Sequence, residues 1–437
     1  MGYENRELLL SATGDSLVTR RLSVHNEKGF LDLVHLLRQG DVTFTNLETL
    51  LHDYEGYAAA ESGGTWMTSP PYIAEELKWA GINIVSRANN HAMDYGPTGM
   101  RVTSSYLDKA RIVHAGVGES LSDARSPAYM ETKGGRVALI SVTTTFPTSS
   151  IAGESRHGIP PRPGVNPLRH SAVFKIDQPT AEKLKEIASR MHIKVRNVTE
   201  TEFTLFGERF RISDKSGPYD DVNNNDLNGN LRAIREAKAQ ADYVFVSLHA
   251  HEGKEDCKPD EDEREMPADF VRDFARACID AGADAVIGHG PEVLRGVELH
   301  KGKPIFYSLG CFFLQNDTVN RHPADIYEKY GLDTLATPAD LNDIREVKGF
   351  LDGNKWFTHE SVWWEGALAH CTYDNKSLKK LTLYPVSLGF GESRARRGRP
   401  LLASSDHARR IMERIKKLSA SFNTEIDFED GVGNVRL

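Results

Sequence analysis

Five short apolar segments each lead into a group of polar side chains, and this feature constrains the fold more than any other. The segments are ELLLSA, DVTFT, INIVS, YVFVS and ADAVI. They are short, mostly apolar and rich in β-branched residues, which is typical of buried strands in an α/β sheet. The polar groups follow at residues 13–16, 46–48, 89–91 with Asp94, 247–252 and 288–291. Because ligands of such sheets gather at the carboxyl ends of the strands, the sequence predicts that these side chains meet at one edge.

Each polar group also has a structural explanation of its own. Asp15 fits a turn or a helix cap, residues 89–90 tolerate left-handed backbone, and His289 lies between two glycines as a turn residue could. His249 and His251 are two residues apart, so they share one face of an extended strand. Polar residues at buried strand ends are costly unless they are paired or bound to a metal, and their joint occurrence therefore favours a metal site.

Composition and charge exclude several classes of protein. The 437 residues carry 54 Lys plus Arg against 62 Asp plus Glu, a net charge of -8 that argues against nucleic-acid binding. No apolar run approaches the roughly 20 residues that span a bilayer. The N-terminus has neither the basic region nor the apolar region of a secretory signal. We therefore expect a cytoplasmic protein without a membrane anchor.

The cysteines indicate a reducing compartment. Cys257, Cys278, Cys311 and Cys371 include no pair at Cys-x-x-Cys spacing. A zinc-thiolate site is therefore not expected, and the pattern favours reduced structural thiols.

The alternation of strands and helices predicts one α/β domain over residues 1–437, with insertions at about 150–228 and 315–357. The first insertion is punctuated by prolines, continues with a helical run, TAEKLKEIASRM, and ends in a polar loop, DDVNNNDLNGN. The second insertion is polar, and we expect it to be irregular. Arg156, Arg162 and Arg169 lie in the first insertion. Because arginine binds carboxylates in a bidentate way, these three residues are candidates for substrate binding; the alternative is a solvated loop.

The polar groups resemble the motifs of a known family. Gly14-Asp15, Asn46-Leu47-Glu48, Asn89-Asn90-His91 with Asp94 and Gly96, and Gly288-His289-Gly290-Pro291-Glu292 are similar to the CapA-type capsule-biosynthesis family, also called poly-γ-glutamate synthesis proteins. Residues 163–167 and the segment LYPVSLGFGESRARRGRPLL extend the resemblance over essentially the whole chain. It implies the calcineurin-like metallophosphoesterase fold, a four-layer α/β/β/α sandwich with rim insertions and a metal site where the loops of both sheets converge.

The resemblance also implies roles for individual residues. Asp15 and Asn90 correspond to metal ligands, and Glu48, with Asn46 beside it, takes the place of the second acidic block. His91 corresponds to the acid/base or charge-stabilising histidine next to the metal. The later histidine ligands correspond to His289 and to His249 or His251.

Two departures from the phosphoesterase pattern bear on the metal. Phosphoesterases of this fold usually carry Asp-x-His in the first block and Gly-His-x-His in the last, whereas this chain has Asp15-Ser16-Leu17 and Gly288-His289-Gly290-Pro291. A two-metal centre clamps both oxygens of a phosphoryl displacement. With a ligand missing at each end of the pattern, we expect one tightly bound divalent ion. The oxygen ligands suit Ca, Mg or Mn, and the imidazoles leave Mn or Zn open.

The histidines predict acid/base chemistry. His91 and Asp94 are three residues apart, so they lie side by side on a helical turn, where the carboxylate would fix the imidazole tautomer; the alternative is that Asp94 caps the next helix. His249 and His251, with Glu252, are expected to form a second acid/base group, and His289 completes the set of candidate catalytic residues. Two such groups across a metal-organised pocket can remove a proton from one face of a carbon and return one to the other.

The sequence therefore favours a metal-dependent acid/base enzyme that epimerises an α-carbon of a peptide or polyglutamate-like substrate. The resemblance supports this interpretation, because the family is associated with polyglutamate containing D-residues and its relatives include peptide epimerases. Two alternatives stay open: a metal-dependent phosphoesterase, and a non-catalytic component of poly-γ-glutamate capsule synthesis.

Overall fold

The computed structural model describes residues 7–214, 217–254, 263–351 and 359–437. The first strands are β1 (Glu7–Leu17), β2 (Val42–Leu47), β3 (Leu50–Leu51), β4 (Thr68–Ser69), β5 (Ile84–Ser86), β6 (Val113–Ala115), β7 (Val117–Gly118), β8 (Ala128–Thr132) and β9 (Gly135–Thr143). The middle strands are β10 (Gly164–Val165), β11 (His170–Ile176), β12 (Glu202–Leu205), β13 (Glu208–Ile212), β14 (Gly217–Val222), β15 (Tyr243–His249) and β16 (Ala285–His289). The last strands are β17 (Val297–His300), β18 (Lys303–Phe306), β19 (Cys311–Leu314), β20 (Glu365–Asp374), β21 (Ser377–Ser387), β22 (Leu401–Leu402), β23 (Ile426–Glu429) and β24 (Val432–Val435).

The α-helices alternate with these strands through much of the chain. They are α1 (Lys28–Leu37), α2 (Ile73–Ala80), α3 (Gly96–Lys109), α4 (Leu121–Arg125), α5 (Gln178–Arg190), α6 (Asn224–Lys238), α7 (Asp269–Ala281), α8 (Ala324–Lys329), α9 (Pro338–Leu351) and α10 (Ser405–Ala420). Within the described ranges, no helix combines the length and the apolar character needed to cross a membrane.

Two large sheets carry the predicted strand ends. The ten-stranded sheet has the order β23-β24-β21-β20-β1-β2-β5-β6, with β19 also paired to β1 and β22 to β21. Strands β1, β2, β5, β6 and β19 are parallel to one another. The six-stranded sheet has the order β17-β18-β16-β15-β9-β8, and its strands β9, β15, β16 and β18 are parallel. Parallel strands bring their carboxyl ends to one edge, as the sequence predicted.

The two sheets share one hydrophobic core, and helices cover their other faces. Phe44 and Ile84 of the large sheet belong to the same cluster as Phe245 of the smaller sheet. Val85, the next residue after Ile84, instead packs with α1 and α2, and Val244 packs with α6 and α7. Because successive strand residues point to opposite faces, the sheets contact each other on one face and the helices on the other.

The first insertion is more regular than predicted. It contains a four-stranded sheet, in the order β12-β13-β11-β14, with α5 packed on a small core of its own around Phe203 and Leu205. The polar loop predicted at residues 220–230 is wrong, because β14 ends at Val222 and α6 begins at Asn224. The side chain of Asn223 accepts the backbone N–H groups of Asn225 and Asp226. Asparagine is a strong N-cap, so the polar run starts a helix.

The second insertion is helical rather than irregular. It contains α8 and α9, where Ile326 and Leu341 are buried in a cluster with Trp66 and Tyr95. Leu341, Ile344 and Val347 recur every three residues along α9, so a helical period was present here and the expectation of an irregular segment was wrong.

The described cysteines are buried free thiols, namely Cys278, Cys311 and Cys371, as the spacing predicted. Cys257 lies outside the described residues.

Candidate metal centre and acid/base site

A close contact between two chain segments positions Asp15. At Asp15, β1 passes from its pairing with β20 to a parallel pairing with β19, and the register shifts there. A Cβ on Gly14 would lie 1.8 Å from the carbonyl oxygen of Gly310, so only glycine permits this approach. The backbone N–H of Asp15 donates to that same oxygen at 3.1 Å. The carboxylate is thereby held at the strand end, fully buried, and the turn or cap explanation of Asp15 is wrong.

The Asp15 carboxylate is surrounded by donors. Asn46 Nδ2 donates to Oδ1 at 2.8 Å, the Gly290 N–H donates to Oδ2 at 2.8 Å, and His289 Nδ1 lies 3.5 Å from Oδ1. Burial acts to raise the pKa of Asp15, but His289, Gly290 and Asn46 outweigh it and hold the pKa below its usual value. Asp15 is therefore ionised at neutral pH, the form of a carboxylate that can bind a cation.

Two histidines at the ends of neighbouring strands lie against Asp15, and a third lies beside them. His249 ends β15 and is in register with His289 at the end of β16. Their Nδ1 atoms are 3.1 Å apart, and His249 Nε2 lies 3.0 Å from His251 Nε2. Burial, with His251 and His289 beside it, places the pKa of His249 well below its usual value. A neutral imidazole is the form that binds a metal.

Ser247 fixes the orientation of His289. Its hydroxyl lies 2.6 Å from His289 Nε2, so the imidazole presents Nδ1 to Asp15 and His249. Metal-bound histidines typically have such a partner on the ring nitrogen that faces away from the metal.

Two buried oxygens in the site have no hydrogen-bond partner among the described residues. They are Glu48 Oε1 and Asn90 Oδ1. Burial, followed by repulsion from Asp15, raises the pKa of Glu48 well above its usual value. Unpaired buried acceptors are costly. A cation would give both oxygens a partner and would offset the repulsion that raises the pKa of Glu48.

The donor atoms are close enough to hold an ion. Those of Asp15, His249 and His289 lie within 4.8 Å of one another, and so do those of Glu48, His249 and His251. His249 belongs to both groups. Neutral imidazoles, an ionised carboxylate and unpaired oxygens form a donor set that fits a divalent metal ion.

The asparagines of the site orient other groups. Asn46 Nδ2 also lies 3.4 Å from Glu48 Oε2, while Asn46 Oδ1 accepts Asn89 Nδ2 at 3.0 Å. The Asn46 oxygen that could bind a metal therefore already accepts a hydrogen bond. In this arrangement Asn46 positions the carboxylates and does not bind a metal itself. Neither Asn89 nor Asn90 appears among the described residues with positive φ, so the explanation by left-handed backbone is wrong.

His91 and Asp94 form a buried pair. His91 Nδ1 lies 2.7 Å from Asp94 Oδ2, which also accepts the N–H of Met67 at 2.7 Å. Burial raises the pKa of Asp94, and the hydrogen bonds from His91 and Met67 oppose the rise. Helix α3 begins only at Gly96 and has no side-chain cap, so the alternative that Asp94 caps this helix is wrong. The carboxylate fixes the proton on Nδ1 and leaves Nε2 as the basic nitrogen.

The site opens into a cavity of about 220 Å³. His91, His251 and Asn90 line it, together with Leu17 and Pro291. A second cavity of about 590 Å³ also has Asn90 and His251 in its wall. Asn90 and His251 therefore lie where the two cavities adjoin.

Glu252 has other partners than the histidines expected from the sequence. It accepts the hydroxyl groups of Thr144 and Thr145 and lies 3.2 Å from His170 Nε2. Burial acts to raise the pKa of Glu252, but the hydrogen bonds from His170 and Thr144 lower it to about 2. Thr145 in turn accepts the N–H of His251 at 3.0 Å. The prediction that Glu252 joins His249 and His251 in an acid/base group is thus wrong. Glu252 instead links the first insertion, through His170, to the segment that follows β15.

Sequence reasoning assigned no role to two residues near the centre. Burial and repulsion from Asp15 raise the pKa of Glu292 to about 7, and its place as the last residue of the motif at residues 288–292 was the available signal. His170 has no local signal, because both of its carboxylate partners, Asp220 and Glu252, are distant in sequence.

The three arginines of the first insertion do not form a group at the site. Arg169 donates twice to Asp226, through Nε at 2.6 Å and Nη2 at 2.8 Å. Arg162 donates from Nε to the carbonyl of Ile151 at 2.8 Å. Arg156 and Arg162 are exposed, and Arg156 pairs through its backbone with Ile159. The structure gives Arg169 a structural role, and substrate binding by Arg156 and Arg162 stays a prediction.

Arg169→Ala should destabilise the protein and leave metal content unchanged. The Asp226 carboxylate is fully buried and would lose its bidentate partner, which costs about 1–3 kcal/mol for a buried charged group. Arg162→Ala is the matched control, because only one backbone contact of its side chain is lost. Thermal unfolding and metal analysis of both variants test this role, and an unchanged melting temperature for Arg169→Ala would contradict it.

Comparison with known proteins identifies the family. The profile of the family "Bacterial capsule synthesis protein PGA_cap" matches residues 9–316. An uncharacterised protein of Sinorhizobium fredii, y4sH, is 40% identical over 433 residues, which cover 98% of this chain and 92% of that protein. The PGA biosynthesis protein CapA of Bacillus subtilis is 28% identical over 78% of this chain and 73% of its own length. The capsule biosynthesis protein CapA of Bacillus anthracis is 25% identical over 71% of this chain and 60% of its own length. The chain therefore belongs to the PGA_cap family of bacterial capsule synthesis proteins.

Proposed function

We propose that this protein is a metal-dependent acid/base enzyme that epimerises an α-carbon of a peptide or polyglutamate-like substrate. The observation that carries the proposal is the buried His91–Asp94 pair, which opens on the same cavity as His251. The fold supports it too, because two sheets with a shared core and helices outside agree with a calcineurin-like four-layer sandwich of metallophosphoesterase type.

The metal would be one divalent ion held by Asp15, His249 and His289, with Glu48 and Asn90 offering oxygens beside it. His249 Nδ1 lies 3.9 Å from Asp15 Oδ1 and 3.1 Å from His289 Nδ1, so this ring nitrogen would face the ion. When bound, such an ion polarises a neighbouring carbonyl group and so acidifies the adjacent C–H bond. Asn46 and Ser247 keep the carboxylates and His289 in place.

Proton transfer would belong to His91 and His251. His91 Nε2 takes the α-proton from one face, and Asp94 stabilises the imidazolium that results. His251 lines the same cavity; in its protonated form it would give a proton to the opposite face, which inverts the carbon, and exchange with solvent would then return both histidines to their starting states. Burial lowers the pKa of His251, which makes its protonated form a stronger acid, while Thr145 and Glu252 hold the backbone that carries it.

The wall of the cavity favours this chemistry over phosphoester hydrolysis. Leu17 and Pro291 stand where the phosphoesterase pattern has histidines, and both line the cavity. An apolar wall therefore replaces the donors that a second metal ion would need.

The experiment combines metal loading with isotope exchange. The protein is incubated in deuterated water with Mn²⁺, Zn²⁺, Mg²⁺ or Ca²⁺ and with short α- or γ-linked glutamate oligomers. We expect deuterium at an α-carbon and D-glutamate after acid hydrolysis, with both lost on treatment with a chelator.

A parallel assay with p-nitrophenyl phosphate tests the alternative, and we expect weak hydrolysis or none. Rapid metal-dependent turnover of that phosphoester would favour the phosphoesterase. Metal binding without exchange or hydrolysis in either assay would contradict the enzymatic proposal and favour a non-catalytic role in capsule synthesis.

A further inference from the structure

A positively charged side chain lies in the wall of the cavity that holds His91 and His251. Arg345 of α9 lines that cavity and is 7% exposed. Among the described residues that line it, Arg345 is the only lysine or arginine. The second insertion therefore contributes a cation directly to the candidate site.

The chemistry beside Arg345 suits part of a peptide. Asn316 lines the same cavity, and its Oδ1 is buried with no hydrogen-bond partner among the described residues. Trp363 adds an aromatic wall. A guanidinium binds a carboxylate in a bidentate way, an amide oxygen accepts a peptide N–H, and an indole face packs on a side-chain stem.

The Arg345 guanidinium is buried and lies near other ionisable groups. Burial lowers the pKa of Arg345, whereas Tyr330 and the nearby Glu292 raise it, and the guanidinium stays charged at neutral pH. A substrate carboxylate that enters the cavity would meet this guanidinium at a position where burial reduces solvent screening, so their attraction would be stronger than at an exposed site.

We propose that Arg345 is a specificity-determining residue that, with Asn316, forms a subsite for a carboxylate-bearing peptide residue next to the reacting carbon. This inference rests on the proposed function, since it places the subsite beside the His91–His251 cavity. It places a substrate-binding arginine on α9 of the second insertion, while substrate binding by Arg156 and Arg162 of the first insertion stays a prediction.

Binding measurements on the metal-loaded protein test the subsite without requiring turnover. The probes are pentaglutamate and pentaglutamine, both amidated at the C-terminus, and affinity is measured by calorimetry. The variants are Arg345→Gln and Arg345→Lys. Lys348→Gln is the matched control, because it removes one positive charge from the same helix at a residue that contacts Tyr330 and is absent from the cavity wall.

We expect the wild type to bind pentaglutamate about 10- to 100-fold more tightly than pentaglutamine, the range for a hydrogen-bonded charged pair. Arg345→Gln should remove this preference, Arg345→Lys should keep part of it, and Lys348→Gln should leave it unchanged. Thermal unfolding checks that the variants are folded. If Arg345→Gln is not folded, Arg345→Lys serves as the test.

Several results would overturn the subsite. The first is that the wild type binds pentaglutamate and pentaglutamine equally well. The second is that a folded Arg345 variant keeps the full preference for pentaglutamate. The third is that Lys348→Gln loses as much of this preference as the Arg345 variants do. If the preference depends on Arg345 but no deuterium exchange occurs, the subsite stands and only the epimerase assignment fails.

Discussion

His91→Ala should lower the rate of α-carbon exchange by about 100- to 10,000-fold, the usual contribution of a general acid or base. His91 is buried against Asp94 at 2.7 Å and lines the cavity that Asn90 and His251 also line. The substitution removes the basic nitrogen. It leaves intact both groups of residues whose donor atoms are close enough to hold an ion, because His91 belongs to neither group. Metal content should therefore stay at the wild-type value while exchange is lost.

Graded variants separate proton transfer from structure. Asp94→Asn should reduce exchange less than His91→Ala, because the imidazole keeps its nitrogen but loses the carboxylate that stabilises its charged form. His300→Ala is the control, since His300 lies on β17 and pairs with Asp280 at the surface. Deuterium incorporation, metal analysis and thermal unfolding are measured on all of these variants. Full exchange in a folded His91→Ala protein would assign the base to His251 instead.

The site could be predicted from sequence wherever local pattern and sheet topology act together. Asp15, His249 and His289 each follow an apolar run, and parallel strands necessarily bring such ends to one edge. The hairpin of β17 and β18 was equally predictable, because Lys301 and Gly302 have the positive φ values that its turn needs. These features depend on residues close together in the chain.

Features that depend on distant partners could not be predicted. Arg169 was a reasonable candidate for substrate binding until α6 placed Asp226 against it, and the two residues are 57 positions apart in the chain. Glu252 was expected beside the histidines but is held by His170, 82 residues earlier in the chain. Arg345 has no motif around it, and only the packing of α9 brings it to the cavity. Long-range electrostatic pairing thus separates the elements that were predicted from those that were not.

Glu48→Gln should have opposite effects on the metal-free and the metal-bound protein. Burial and repulsion from Asp15 raise the pKa of Glu48 well above the usual value for a glutamate. A carboxyl group whose pKa is raised in the folded state destabilises the fold increasingly as the pH rises above its unfolded pKa. The metal-free variant should therefore melt at a higher temperature than the wild type at pH 7, and the two should converge below about pH 4.5, the ordinary pKa of a glutamate.

With metal the order should reverse. An ion that binds only the folded protein stabilises it by about 2.7 kcal/mol at a concentration 100 times its dissociation constant, and Glu48→Gln weakens that binding by removing a charged oxygen. Melting curves with and without a chelator, between pH 4 and pH 8, measure both effects. Glu75→Gln, an exposed glutamate on α2, controls for the loss of one negative charge. A Glu48→Gln protein that is less stable than the wild type without metal would show that the Glu48 carboxylate is stabilised by protein groups alone, and the electrostatic argument for a metal at this site would fail.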